Sequence, residues 1–291
     1  MEGRLKSTPM TTNSMNTRIV KFAGNAIRFD TDHLQVLAAV DTHFKHCFGV
    51  DESVIAEYQV RAGGEADFTV SLDGAEIQSN ISLEQVLFHL MQDGLTQLNG
   101  AASDDLIFHA AGLAFQDRGL LLCGKSGSGK STLTTWLTAG GFQYLTDEVI
   151  AVPISGSEVS GFCRSLVLKQ GSAFVWEQLL SDHKNENGFL KLNDSSAWIA
   201  PELLNPSAVR TSVEPGLILF PTYKKETEFQ AEQLTPAKTL FHLMQCLVNA
   251  RNFSDHGVER TKQLAQKTAA YRVFYSDIEQ VSEWIRKTIA Q

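Results

Sequence analysis

Residues 124–131 read Gly-Lys-Ser-Gly-Ser-Gly-Lys-Ser, an unbroken G-x-x-x-x-G-K-[ST] pattern between a short apolar run and a helix-patterned segment. Such a loop constrains a fold strongly, because its glycines need a buried strand behind them and a helix N-terminus ahead. Gly119-Leu120-Leu121-Leu122-Cys123 is apolar throughout, as expected for a strand buried on both faces. After the loop, Leu133, Trp136 and Leu137 fall at i, i+3, i+4, and Gly140-Gly141 supplies a stop. Gly124, Gly127 and Gly129 permit left-handed backbone that turns successive N–H groups toward phosphates. Lys130 is placed to reach β/γ oxygens and Ser131 to ligate Mg²⁺. Gly124, Lys125, Ser126, Gly127, Ser128, Gly129, Lys130, Ser131 and Thr132 are thus the expected nucleotide-binding set, with ATP as the default ligand.

The formal charge of −8, without a long Lys/Arg run, argues against a nucleic-acid partner. Cys47, Cys123, Cys163 and Cys246 stand apart from one another, without C-x-x-C, and read as buried small hydrophobes rather than a zinc site or disulfide framework. Residues 1–16 are polar and lack the apolar core of a signal peptide, so they read as a flexible leader. No run of 18 apolar residues suggests a membrane span, and the expected setting is cytoplasmic and reducing.

Residues 17–100 mix short alternating runs with polar turns and predict a small α+β region. Thr17–Phe22 and Ala26–Phe29 are strand candidates. Ala66–Leu72 alternates with period two, and Asp73-Gly74 then signals a hairpin. Leu83, Val86, Leu87, Leu90 and Met91 follow at helical spacing up to Asn99-Gly100, a helix expected to pack on the nucleotide-binding portion. Residues 101–291 form that portion. Leu106–Phe108 and Gly112–Phe115 are strand candidates flanking His109-Ala110-Ala111, and Phe142–Pro153 reads as strand, acidic pair, strand. Leu166–Leu168 and Leu217–Phe220 are further apolar runs, and Tyr271–Tyr275 alternates as a strand. The sheet is expected to be large and mixed, and helices are expected over Ala237–Val248, Val258–Lys267 and Ile278–Ile289.

A phosphate cradle alone does no chemistry; phosphoryl transfer also needs a carboxylate for Mg²⁺ and usually one for the acceptor's proton. Asp147-Glu148 is the best candidate pair. It returns only one helix, one turn and one strand after Lys130.

His109-Ala110-Ala111-Gly112, the loop 124–131 and Leu145-Thr146-Asp147-Glu148 together resemble the core of HPr kinase/phosphorylase and its P-loop kinase relatives, whose fold is related to that of phosphoenolpyruvate carboxykinase. The similarity is tight over 109–152 and weaker at Arg164–Lys169 and the C-terminal strand and helix. Thr132 stands where the bifunctional enzymes carry an acidic residue, and Asp147-Glu148 where they carry Asp-Asp. The likeness is therefore closer to divergent kinases acting on other serine hydroxyls.

The resemblance implies an α/β fold with a mixed central sheet. It implies that Lys130 neutralises phosphate charge, that Ser131 with Glu148 holds Mg²⁺, and that Asp147 accepts or orients the hydroxyl proton, although either acid could be the base. His109 would line the site, and Arg164 and Lys169 would face the transferred oxygens. The best-known members are hexamers, so a homo-oligomer is an expectation. The leading function is an ATP- and Mg²⁺-dependent kinase acting on a hydroxyl, serine foremost, of a protein, peptide or small molecule. The alternative is a nucleotide-binding regulatory or scaffold protein with little transferase activity, motivated by Thr132 and the unmatched N-terminal region.

Overall fold

The computed structural model describes residues 15–50, 53–63, 67–169, 173–180, 188–193 and 196–291. All but the last two residues of the expected leader fall outside these, as does Ala66 at the start of one expected strand. The chain is a mixed α/β protein.

Its N-terminal part runs β1 (Asn16–Phe22), β2 (Asn25–Thr31), α1 (Leu34–His43), β3 (Val54–Ala62), β4 (Phe68–Leu72), β5 (Ala75–Ile81) and α2 (Leu83–Ala101). The five strands form one sheet in sequential order, antiparallel except for β2 and β3, which α1 connects in parallel. Asp73 and Gly74 turn β4 into β5 with φ of 50° and 81°, the double left-handed geometry of a tight hairpin. A reciprocal capping box between Ser82 and Gln85 starts α2. Its apolar face packs mainly on β2, β3 and β4 rather than on the portion of the chain that follows it. It meets that portion at its C-terminal end, where Asn252 Nδ2 donates to the carbonyls of Asn99, Gly100 and Ala102.

The second part begins with β6 (Asp105–Phe115), β7 (Arg118–Cys123), α3 (Lys130–Ala139), β8 (Gln143–Thr146), β9 (Val149–Pro153) and β10 (Val159–Gly161). It continues with β11 (Leu166–Leu168), α4 (Ala173–Leu179), β12 (Phe189–Asn193), β13 (Ser196–Ile199), α5 (Pro201–Leu204) and β14 (Ser212–Val213). β15 (Pro215–Tyr223), β16 (Gln230–Gln233), α6 (Pro236–Met244), α7 (Val258–Lys267), β17 (Ala269–Tyr275) and α8 (Ile278–Ile289) complete it. Nine strands form a mixed sheet in the order β14-β10-β9-β6-β7-β15-β17-β16, with β8 also paired to β6; β11, β13 and β12 form a small separate sheet.

Alternation along β7 explains the layering. Leu121 and Cys123 join the core on one face with Leu243 of α6 and Leu264 of α7, while Leu120 and Leu122 join Leu133 and Leu137 of α3 and Ile285 of α8 on the other. An apolar strand buried on both sides is what such a sandwich requires. α3 itself buries Thr134, Thr135 and Thr138 besides its two leucines. Thr135 and Thr138 satisfy their hydroxyls by donating to carbonyls four residues back.

Two boundaries differ from the periodicity. β6 is one strand, because Ala110 and Ala111 pair with β7 and His109 with β9, leaving no break between the two expected pieces. α6 ends at Met244, short of Val248, because the following segment runs alongside β6. There the His109 N–H donates to the Cys246 carbonyl at 2.7 Å, and the Val248 N–H to the Ile107 carbonyl at 2.8 Å. The four cysteines are buried and free, as their isolation in sequence suggests.

Candidate active site

The strand β7 ends at Cys123 and the phosphate loop begins at the next residue, turning into α3 at Gly129. Gly129 caps the helix with φ 94°, and a Cβ on it would lie 2.7 Å from the Tyr275 hydroxyl. Both the angle and the space call for glycine. Lys130 is buried, and its ammonium is held by the carbonyls of Gly124 and Lys125, so the loop's cation already sits inside the curve. Burial lowers its pKa. The Ser128 hydroxyl is buried without a hydrogen-bond partner among the described residues, an orphaned donor within the loop. A phosphate oxygen would satisfy it, and with the helix N-terminus the loop fits an anionic ligand.

The acidic pair occupies the turn between β8 and β9. Thr146 Oγ accepts from the Glu148 N–H at 3.1 Å and from the Val149 N–H at 3.4 Å, which holds the turn closed. Pairing of β8 with Gly112–Ala114 and of β9 with Asp105–His109 places this turn beside His109 and Ala110. Ala110 in turn lies opposite Cys123, the residue before the loop. The acids, His109 and the loop therefore share one edge of the sheet.

The two carboxylates have different surroundings. Asp147 is 1 % exposed; its Oδ1 lies 3.0 Å from Arg164 Nη1 and 3.1 Å from the Tyr144 hydroxyl, and its Oδ2 accepts from the Val167 N–H at 3.2 Å. Glu148 is 27 % exposed, with Oε2 at 3.0 Å from Arg164 Nη2 and Oε1 at 3.5 Å from His109 Nδ1. Arg164 is fully buried and bridges the pair, donates to the Ser165 carbonyl and stacks 5.9 Å from the Trp198 ring. Its guanidinium is closed off from solvent, whereas Lys169 is exposed.

Electrostatics follow from this arrangement. Burial raises the Asp147 pKa, with Arg164 pulling against it. Burial also opposes the Arg164 charge, but the Asp147 and Glu148 carboxylates outweigh it and leave its pKa raised. Burial lowers the His109 pKa despite neighbouring Glu148, so the imidazole is neutral at pH 7. Among the described residues no group of three or more His, Cys, Asp or Glu is gathered for a metal.

Sequence reasoning missed the layer behind Arg164. His43, the last residue of α1, has Nδ1 2.9 Å from Ser165 Oγ and stands edge-on to Trp198 at 5.2 Å. Its spacing from Val36 and Val40, both on the buried face of α1, was the available signal. Burial, then the nearby Arg164 charge, lowers its pKa from 6.5 to about 4. Between these values the unfolded chain binds the proton and the folded one does not, so stability falls as the pH drops. The loss from this group from above pH 6.5 to below pH 4 is expected to be about 3 kcal/mol. Urea unfolding across that range should show a slope for the wild type that His43→Gln removes.

No family model matches the chain, and no curated protein matches it. Among solved structures, the Hpr(Ser) kinase/phosphatase from Coxiella burnetii aligns with it at a TM-score of 0.32 and 14 % identity, over 62 % of this chain and 94 % of that one. Likeness at that level leaves the chemistry to the residues themselves. Among the described residues no helix is long and apolar enough to cross a membrane.

Proposed function

We propose that the chain is an ATP- and Mg²⁺-dependent kinase that moves the γ-phosphoryl group to a hydroxyl, serine foremost, of a protein, peptide or small molecule. The observation that carries this reading is the half-open Glu148–His109 pair on the same sheet edge as the phosphate loop, one strand away from it. Backbone N–H groups, Ser128 and Lys130 would hold the phosphates. Mg²⁺ keeps most of its shell as water and phosphate oxygen and asks the protein for one or two oxygen donors, which fits Ser131 and Glu148. The acceptor oxygen bonds to the γ-phosphorus as the bond to the bridging oxygen breaks and ADP leaves. The acceptor's proton passes to His109, whose neutral imidazole has a free lone pair and whose Nδ1 lies beside Glu148. Asp147, whose oxygens are engaged by Arg164, Tyr144 and Val167, serves as a positioning residue that fixes Arg164 and through it Glu148.

The test is transfer of labelled γ-phosphate from Mg·ATP to a serine-containing peptide pool and to free serine, beside calorimetric ATP binding. Lys130→Ala removes charge-assisted hydrogen bonds to phosphate and should raise the Kd for ATP about ten- to a hundredfold. ATP binding unchanged in that variant would sink the site assignment. The carbonyl-held Lys130 and the locked Asp147 favour a second reading, a nucleotide-binding regulator with little transferase activity. Lys130-dependent ATP binding without transfer to any acceptor is its signature.

A further inference from the structure

The strands β7, β15 and β17 are mutually parallel and adjacent, so all three end at the edge where the phosphate loop lies. The acids and His109 stand on the β6 flank of that loop, whereas β15 and β17 form the other flank. On the reading proposed above, a triphosphate with its γ-phosphorus toward Glu148 and His109 sends its nucleoside the opposite way, across the loop toward the ends of β15 and β17. Crevices beyond the carboxyl ends of parallel strands are where such folds take their ligands.

That flank presents an aromatic ring. Tyr223, the last residue of β15, donates its N–H to the Ser128 carbonyl at 3.1 Å and so is tied to the loop itself. A Cβ on Gly129 would lie 3.2 Å from Tyr223 Cβ, which fixes how closely the tyrosine approaches the helix start. Tyr223 is 49 % exposed, although its partner Tyr275 is buried. The two rings meet edge to face, with centroids 5.7 Å apart and planes at 69°. Lys224, the next residue, donates its N–H to the Tyr275 carbonyl at 3.0 Å and anchors the chain leaving the strand. A half-exposed ring braced against a buried one is a preformed surface for another flat ring.

The geometry points to Tyr223 as the platform on which the nucleobase stacks, braced by Tyr275. This inference depends on the nucleotide-binding reading of the loop and adds to it the recognition of the base. Stacking on a tyrosine face tolerates any base, so ATP and GTP should bind comparably, with selectivity governed by ring size more than by edge hydrogen bonds.

The experiment is calorimetric binding of Mg·ATP and of Mg·tripolyphosphate, which carries the phosphates without a base, to the full chain. Wild type is expected to bind ATP more tightly than tripolyphosphate. Tyr223→Ala should weaken ATP on the order of tenfold or more and leave tripolyphosphate within about twofold, the latter also reporting an intact loop. Tyr223→Phe should bind ATP like the wild type. Unchanged ATP affinity in Tyr223→Ala, or an equal loss for both ligands, overturns the platform while the nucleotide site stands. Wild type binding neither ligand overturns the nucleotide reading, and the platform with it.

Discussion

Glu148→Gln is expected to slow phosphoryl transfer by about a thousandfold while ATP remains bound. The substitution keeps the side chain's size and leaves an oxygen to accept from Arg164 Nη2, which lies 3.0 Å from Glu148 Oε2, so the fold should tolerate it. It removes, at the more open of the two acids, the negative charge that would hold Mg²⁺ and stabilise a protonated His109. Asp147, 1 % exposed against 27 % for Glu148, cannot move out to replace it without abandoning Arg164. Single-turnover transfer measured beside calorimetric ATP binding separates the two effects. Transfer at the wild-type rate would remove Glu148 from the chemistry.

Arg164→Met should destabilise the fold by about 3–5 kcal/mol, because it leaves the Asp147 carboxylate buried without its cation. The guanidinium is fully buried between Asp147, Glu148 and Trp198, and water cannot reach in to take its place. The Asp147 pKa is already raised by burial in the wild type, and loss of Arg164 takes away its main opposing influence. In the variant the folded state therefore binds a proton more readily than the unfolded chain does. The penalty grows as pH rises through the raised pKa and shrinks toward mild acid. Adding Asp147→Asn should recover much of the loss, since a neutral side chain needs no cation. Denaturant unfolding of the single and double variants at mildly acidic and alkaline pH checks all three points, and a pH-independent loss unrelieved by Asp147→Asn would contradict the argument.

Local pattern reached the fold where one period ran uninterrupted. The limits of α7 and α8 follow their apolar spacing, and β7, the phosphate loop and α3 stand in the order the glycine pattern demands. It faltered where backbone partners came from far along the chain. The segment after α6 gave up helical turns for hydrogen bonds to β6, more than a hundred residues earlier, and no spacing near Val248 reports that. The site divides in the same way. Composition brought Asp147 and Glu148 forward together, yet a two-residue motif cannot say which acid is buried; that depends on Tyr144, Arg164 and Val167 closing over one of them. His43 was harder still, because its role depends on Ser165 and Trp198, both more than a hundred residues further along the chain.

The apolar core that starts at Val20 and Phe22 runs without interruption through Phe44 to Ile107, Val149, Ala151, Phe162 and Trp198. Core residues of the N-terminal part thus share one cluster with Trp198, the ring beside Arg164. A fragment trimmed to begin near residue 101 would keep every member of the phosphate loop, yet open Phe162 and Trp198 to water and strip the roof from Arg164. Adhesive apolar surface and an unshielded cation would then stand where the parent molecule is dry.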